Sequence, residues 1–211
     1  MNPMFNESCR ACPRLARHLA VVRREHADYH ARPVAPFGDK RARLLIVGLA
    51  PGMHGANRTG RPFTGDHAGI LLYQTLYKHG FANQPDGADP RDGLRLIDCR
   101  ITNAVKCLPP QNKPLPDEVV RCSRYLRAEL ERLRPGAVVL ALGAIAHGAV
   151  LRAFDLKPAA FRFAHGKEHR LSRRATLLDS YHCSRYNTQT GRLTPRMFDA
   201  VVRRARARLG R

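Results

Sequence analysis

Residues 43–69 read RLLIVGLAPGMHGANRTGRPFTGDHAG, and the two halves of this stretch behave differently. Leu44, Leu45, Ile46 and Val47 form an aliphatic run without polar alternation. That is the pattern of a strand covered on both faces, as in parallel sheets flanked by helices. From Gly48 onward the chain is rich in glycine and carries Pro51, Pro62, His54, His67, Asn57, Arg58, Arg61 and one carboxylate, Asp66. Connections between elements are commonly ~4–6 residues long, and much longer ones tend to be functional or disordered. A buried strand leading into this loop therefore predicts an α/β sheet with a functional loop at its edge.

The rest of the chain extends the pattern. Apolar runs at 100–105, 137–142 and 175–181 read as strands and, with 44–49, make four. Helical periodicity falls at 68–78, 116–133, 144–154 and 194–209, and an earlier helix begins near Pro13 with Leu15, Leu19 and Val22 on one face. Residues 32–40, with Pro33, Pro36 and Gly38, read as a linker, and 80–93 as an exposed loop. Strands alternating with helices predict one domain over 1–211: a three-layer α/β/α sandwich with a central, mainly parallel four-stranded sheet. Such sheets bind ligands at the carboxyl ends of their strands. Gly48, Leu49, Ala50, Asn103 and His182 all fall there.

Lys+Arg 37 against Asp+Glu 17 gives a net charge of +20, which favours polyanionic partners. The alternative is a soluble surface of an arginine-rich chain, since the arginines are spread throughout. No apolar run approaches the ~18 residues of a membrane span, and MNPMFNESCRACPRL has no signal-peptide pattern. No membrane association is expected, and the cytoplasm is the expected compartment. Of six cysteines, Cys9 and Cys12 form C-x-x-C, Cys107 follows a strand-like run, and Cys122 lies in a helical pattern. In a reducing compartment such a set reads as a metal or redox site rather than as disulfides. A thioredoxin-type pair would sit between a strand and a helix, so metal is favoured.

The loop after Val47 has neither G-x-x-x-x-G-K-[ST] nor G-x-G-x-x-G, which leaves nucleotide binding without support. Its glycines instead let backbone N–H groups approach a ligand closely. Phe63 offers an aromatic face on the same loop, or ordinary core packing. Asn103 can donate and accept at a base edge, or simply form a turn. His182 is a catalytic candidate or a structural histidine. Three such groups at three strand ends are less easily accidental than any one.

GLAPGMHGANRTGRPFTGD, ITNAVKCLPPQNKP and SYHCSRYNTQTGRLT resemble, in this order, the three signature regions of the uracil-DNA glycosylase superfamily. The greatest similarity is to its iron–sulfur branch, family five or type B, and runs from about Cys9 to Met197. The resemblance implies a base-excision repair hydrolase that cleaves the N-glycosidic bond of flipped-out uracil, extending to deaminated purines such as hypoxanthine. It implies catalytic roles for Asp66 and His182, and a base pocket formed by Gly48, Leu49, Ala50, Phe63 and Asn103. It also implies a 4Fe–4S cluster on Cys9, Cys12, Cys107 and Cys122, ligands that zinc would equally accept. His54, Asn57, Arg58, Arg61, Ser184, Arg185 and Asn187, beside the motifs, are the expected DNA contacts, with Arg192 a further candidate. The protein is then expected to act as a monomer on the DNA of a prokaryotic cytoplasm.

Two departures stand out. Gly52 follows Ala50-Pro51 as in family four, although Leu49 and residues 54–61 match family five. Cys183 stands where the branch usually has proline. The alternatives are a strict, family four-like uracil glycosylase and a non-catalytic nucleic-acid-binding protein of the same fold. The presence of Asp66, Asn103 and His182 argues against the latter.

Overall fold

The computed structural model describes residues 5–172 and 175–210. After helix α1 (Pro13–Glu25) comes the short strand β1 (Phe37–Gly38), then β2 (Leu44–Gly48) and a one-turn helix α2 (Ala56–Thr59). Helix α3 (His67–Lys78), β3 (Cys99–Asn103), α4 (Pro116–Glu131), β4 (Ala137–Leu142) and α5 (Ala144–Ala153) follow. The chain ends with β5 (Glu168–Arg170), β6 (Ala175–Ser180), α6 (Arg185–Gln189) and α7 (Pro195–Arg208). The sheet order is β1-β3-β2-β4-β6-β5. The four inner strands run parallel, and β1 and β5 join antiparallel at the two edges.

Alternation along β2 explains why its sequence lacks polar gaps. Leu44 and Ile46 face a core shared with Leu72 and Leu76 of α3 and Phe198 and Val202 of α7. Leu45 and Val47 face the opposite core, with Leu126 of α4 and Val150 of α5. The three-layer sandwich is therefore as expected. A third cluster joins Leu15, Leu19 and Val22 of α1 to Cys107, Cys122 and Tyr125.

The sheet has six strands rather than the four expected. β1 and β5 span two and three residues, too short to leave a hydrophobic period. β1 lies inside the segment read as a linker, where Phe37 pairs with Ile101 and Gly38 with Arg100. Gly38 takes φ of +107°, and a Cβ there would meet the Cys99 carbonyl oxygen at 2.5 Å. The long loop after β2 is also more ordered than its composition suggests, because it contains α2. The loop after α3 is fastened to it by Arg61, whose guanidinium bonds Asp92 and the Asp89 carbonyl.

Ile46 is fully buried at the centre of this sheet. Ile46→Ala is expected to lower stability by about 2–5 kcal/mol, as large-to-small core changes do. Urea denaturation would measure it.

Candidate active site

A cavity of about 420 Å³ opens at the carboxyl ends of the parallel strands. The β2–β3 register sets Gly48 opposite Asn103. A side chain at position 48 would drive into the Asn103 carboxamide and come within 2.9 Å of Phe63 Cζ. Only glycine lets these two groups meet over the strand end. Phe63 itself holds φ of +56°, in the left-handed region where a bulky residue is rare. Its position is enforced from below: the Tyr73 hydroxyl donates to the Pro62 carbonyl at 2.6 Å, and Gly69 of α3 packs directly on the Phe63 carbonyl. The ring is nearly buried and lies beside that of His182, with centroids 5.9 Å apart and planes inclined by 30°.

Asn103 is buried, and its Oδ1 has no hydrogen-bond partner among the described residues. Leaving such an acceptor unpaired costs ~1–3 kcal/mol, and the residue lines the cavity. Asp66 is the N-cap of α3, where its Oδ1 accepts the Gly69 N–H at 3.0 Å. Burial raises its pKa above the usual carboxylate value, more than the N–H groups of Gly69 and Ala68 and the nearby His67 lower it. Gly55 packs against the same carboxylate, where a Cβ would lie 2.5 Å from Oδ2. His182 lies beyond the end of β6, half-buried in the cavity wall, and burial lowers its pKa to about 4. Its imidazole is neutral at physiological pH. The Asn187 side chain donates to the His182 carbonyl at 2.8 Å, and Ser184 caps α6 by accepting the Asn187 N–H. Cys183, in the place of the family's usual proline, is fully buried in the core beside α7.

The residues expected to touch DNA divide into two groups. His54, Arg58 and Arg185 are exposed, and Arg185 and Ser184 line the cavity. His54 Nδ1 bonds the Tyr29 hydroxyl at 2.8 Å, and Arg58 Nε donates to the His54 carbonyl at 2.8 Å. Arg192 is exposed and lies over the Tyr181 ring. Arg61 and Asn57 depart from the expectation. Arg61 is buried, with its guanidinium spent on Asp92, Asp89 and Thr64, so it holds the loop instead of reaching a phosphate. Asn57 is completely buried and anchors α2, accepting the Ala31 N–H on its carbonyl at 3.0 Å. Asn187 is partly exposed, but its amide serves the His182 loop.

Cys9, Cys12, Cys107 and Cys122 all line one small cavity between α1, α4 and the segment after β3. All four are free thiols. The Arg124 guanidinium donates to Cys9 Sγ at 3.2 Å and the Lys106 N–H to Cys122 Sγ at 3.3 Å. Burial pushes the thiols of Cys12, Cys107 and Cys122 up, as does the charge of their neighbouring cysteines. Four crowded thiolates are costly unless a cation lies among them, so the donor set suits a metal centre. Cys99 and Cys183 are buried elsewhere.

Three residues of this region carried no signal strong enough to read. His67 and Asn112 line the cavity. His67 is the first residue of α3, one before the helix expected from the sequence, and Asn112 takes φ of +56°, which asparagine tolerates in turns. Lys106 is buried behind Asn103, a place where lysine is seldom expected.

The model of the uracil DNA glycosylase superfamily matches residues 35–206, and the chain belongs to that superfamily. It is 49% identical over 208 residues to a type-5 uracil-DNA glycosylase of Thermus thermophilus, covering 96% of this chain and 94% of the relative. It is 44% identical to a type-5 uracil-DNA glycosylase of Pyrobaculum aerophilum, covering 96% and 90%. A type-4 uracil-DNA glycosylase of Archaeoglobus fulgidus is 36% identical over 141 residues, covering 66% of this chain and 63% of the relative. The similarity to type-5 enzymes is thus both higher and longer, despite Gly52.

A folded-state pKa of about 4 for His182, against ~6.5 for a free imidazole, can be tested by NMR titration of its ring signals. The midpoint is expected near 4. Because the unfolded chain binds this proton first, the contribution to stability is complete above ~6.5 and declines as pH falls toward 4.

Proposed function

We propose that this protein removes uracil from DNA by hydrolysing its N-glycosidic bond, leaving an abasic site. One observation carries the reading: Phe63, Asn103, Asp66 and His182, from three separate strand-end segments, line a single cavity of about 420 Å³. Membership of the superfamily and the names of the relatives support it. All four groups come from one chain, so a monomer is sufficient.

The glycosidic bond lies inside the duplex, so the nucleotide must first be flipped out, at a cost of a few kcal/mol. The exposed guanidiniums of Arg58 and Arg185 hold the backbone phosphates during that step, within the field of a chain of net charge +20. In the cavity Phe63 offers its face to the base. The Asn103 carboxamide matches uracil's pairing edge: Oδ1 accepts the ring N–H and Nδ2 donates to the neighbouring carbonyl. Cytosine presents a donor where uracil has that carbonyl, so it cannot satisfy the same amide in the same pose.

Cleavage leaves the electron pair of the bond on the base and positive charge on the sugar, an oxocarbenium-like state similar to that of glycoside hydrolysis. The neutral His182 imidazole and the backbone N–H groups of residues 48–50 donate to the base oxygen as it becomes negative. One preorganised donor of this kind is worth roughly 3–4 kcal/mol. Leu49 can move no proton, so the anion on the sugar side is Asp66. It stabilises the cation and orients the water whose oxygen bonds to the sugar carbon. Deaminated purines such as hypoxanthine are part of the reading on the resemblance to family five.

Cys9, Cys12, Cys107 and Cys122 would hold a 4Fe–4S cluster. Zinc would accept the same four thiolates, and the resemblance to the iron–sulfur branch favours the cluster. Hydrolysis needs no electron transfer, so the group's contribution is to tie α1 to the second motif and to α4. Metal analysis should find iron and no zinc in a brown protein. Cys99→Ser should keep the colour, whereas Cys107→Ser should lose it.

Single-turnover cleavage of a uracil duplex tests the catalytic roles. Asp66→Asn should lower the rate at least ~10-fold, about 1.4 kcal/mol, with little change in DNA affinity. In the parent the rate should fall with acid as Asp66 protonates, at a pH above the ordinary carboxylate range. The variant should lack that limb. Cleavage by Asp66→Asn at the parent rate would remove the aspartate from the mechanism.

A further inference from the structure

The geometry points to Lys106 as a positioning residue for base recognition, a strut that fixes Asn103 against the cysteine site. Lys106 is almost completely buried, three residues beyond Asn103 and directly before Cys107. Its ammonium donates to the Asn103 carbonyl at 2.9 Å and to the Thr102 hydroxyl. Both acceptors are uncharged. Its own N–H donates to Cys122 Sγ, and its carbonyl accepts the Val34 N–H at 2.7 Å. One residue therefore bonds the last two residues of β3 with its side chain and the cysteine site with its backbone.

The energetics argue that the side chain is retained for geometry. Burying an ammonium against neutral acceptors is costly, and an apolar side chain of similar volume is often equal or better for stability alone. What the ammonium adds is direction. The peptide after Asn103 is held on one side by the Ala104 N–H bond to the Gly48 carbonyl, 2.9 Å, and on the other by Lys106. Together these fix the Asn103 backbone, and hence the placement of its carboxamide at the wall of the cavity. Among the described residues no hydrogen bond braces Asn103 through its Oδ1. Positioning to a few tenths of an ångström matters because hydrogen bonds weaken steeply with misalignment.

This inference rests on the proposed role of Asn103 in reading uracil, and a double-mutant cycle separates the two. The readout is the ratio of affinities for a duplex carrying uncleavable 2′-fluoro-deoxyuridine and for an undamaged duplex, with iron per chain measured alongside. Lys106→Met is unbranched and one atom shorter, keeps the backbone N–H and removes the donor. It should cut the affinity ratio by about tenfold while iron content stays at the parent level. In an Asn103→Ala background it should cause no further loss, since positioning acts only through the carboxamide. If Asn103→Ala alone leaves the ratio unchanged, the base-reading role fails and this inference with it. If Asn103→Ala lowers the ratio but Lys106→Met lowers it by the same factor in both backgrounds, or not at all, the strut is overturned and the reading of Asn103 stands. Should Lys106→Met fail to fold, Thr102→Val in the same cycle decides. It removes the second anchor of the ammonium and should give a several-fold loss that vanishes with Asn103→Ala, and an equal loss in both backgrounds would overturn the proposal.

Discussion

Everything at the mouth of this sheet depends on there being no side chain at position 48. β2 delivers Gly48 to the point where the Asn103 amide and the Phe63 ring converge, and neither leaves room for a methyl group. The same economy recurs once in the loop that follows and once in α3. Gly55 yields its space to the Asp66 carboxylate, and Gly69 lets the first turn of α3 press on the Phe63 carbonyl. The aromatic face, the amide and the anion are thus brought together by three close backbone approaches that only glycine allows. The left-handed Phe63 is the strain that this convergence imposes, and the Tyr73 bond to Pro62 helps to hold it.

The electrostatics of the cavity follow from the same tight packing. Burial acts on both titratable groups by disfavouring charge, and it moves them in opposite directions on the pH scale. His182 is kept neutral far below physiological pH, so it can donate without competing as a cation for phosphate. Asp66 is pushed up from the ordinary carboxylate range, but the N–H groups at the start of α3 limit the rise. The roles proposed for Asp66 and His182, an anion and a neutral donor, match a reaction that makes a sugar cation and a base anion.

The layered fold was legible because β2 and β4 are apolar on every residue, while α1, α4 and α7 carry a buried stripe with helical spacing. β1 and β5 were not, since two or three residues cannot display a period of two. At the site, Asp66, Asn103, Phe63 and His182 were readable from motif and strand end together. Arg61 and Asn57 misled because a basic or amide residue in a functional loop suggests a ligand contact. Whether a guanidinium faces a phosphate or a carboxylate depends on Asp92, thirty-one residues away in sequence. Lys106 was invisible for a related reason: nothing local shows that a lysine will be buried, and only the folded chain places its ammonium on the Asn103 carbonyl.

The central claim is that a base swung out of the duplex enters the cavity framed by Phe63, Asn103, Asp66 and His182. The most direct measurement is a crystal structure of Asp66→Asn bound to a duplex containing one uracil. The account predicts the uracil ring in that cavity, lying against Phe63, with its pairing edge within hydrogen-bond distance of the Asn103 amide. A uracil still stacked in the helix, or bound away from Asn103, would contradict it.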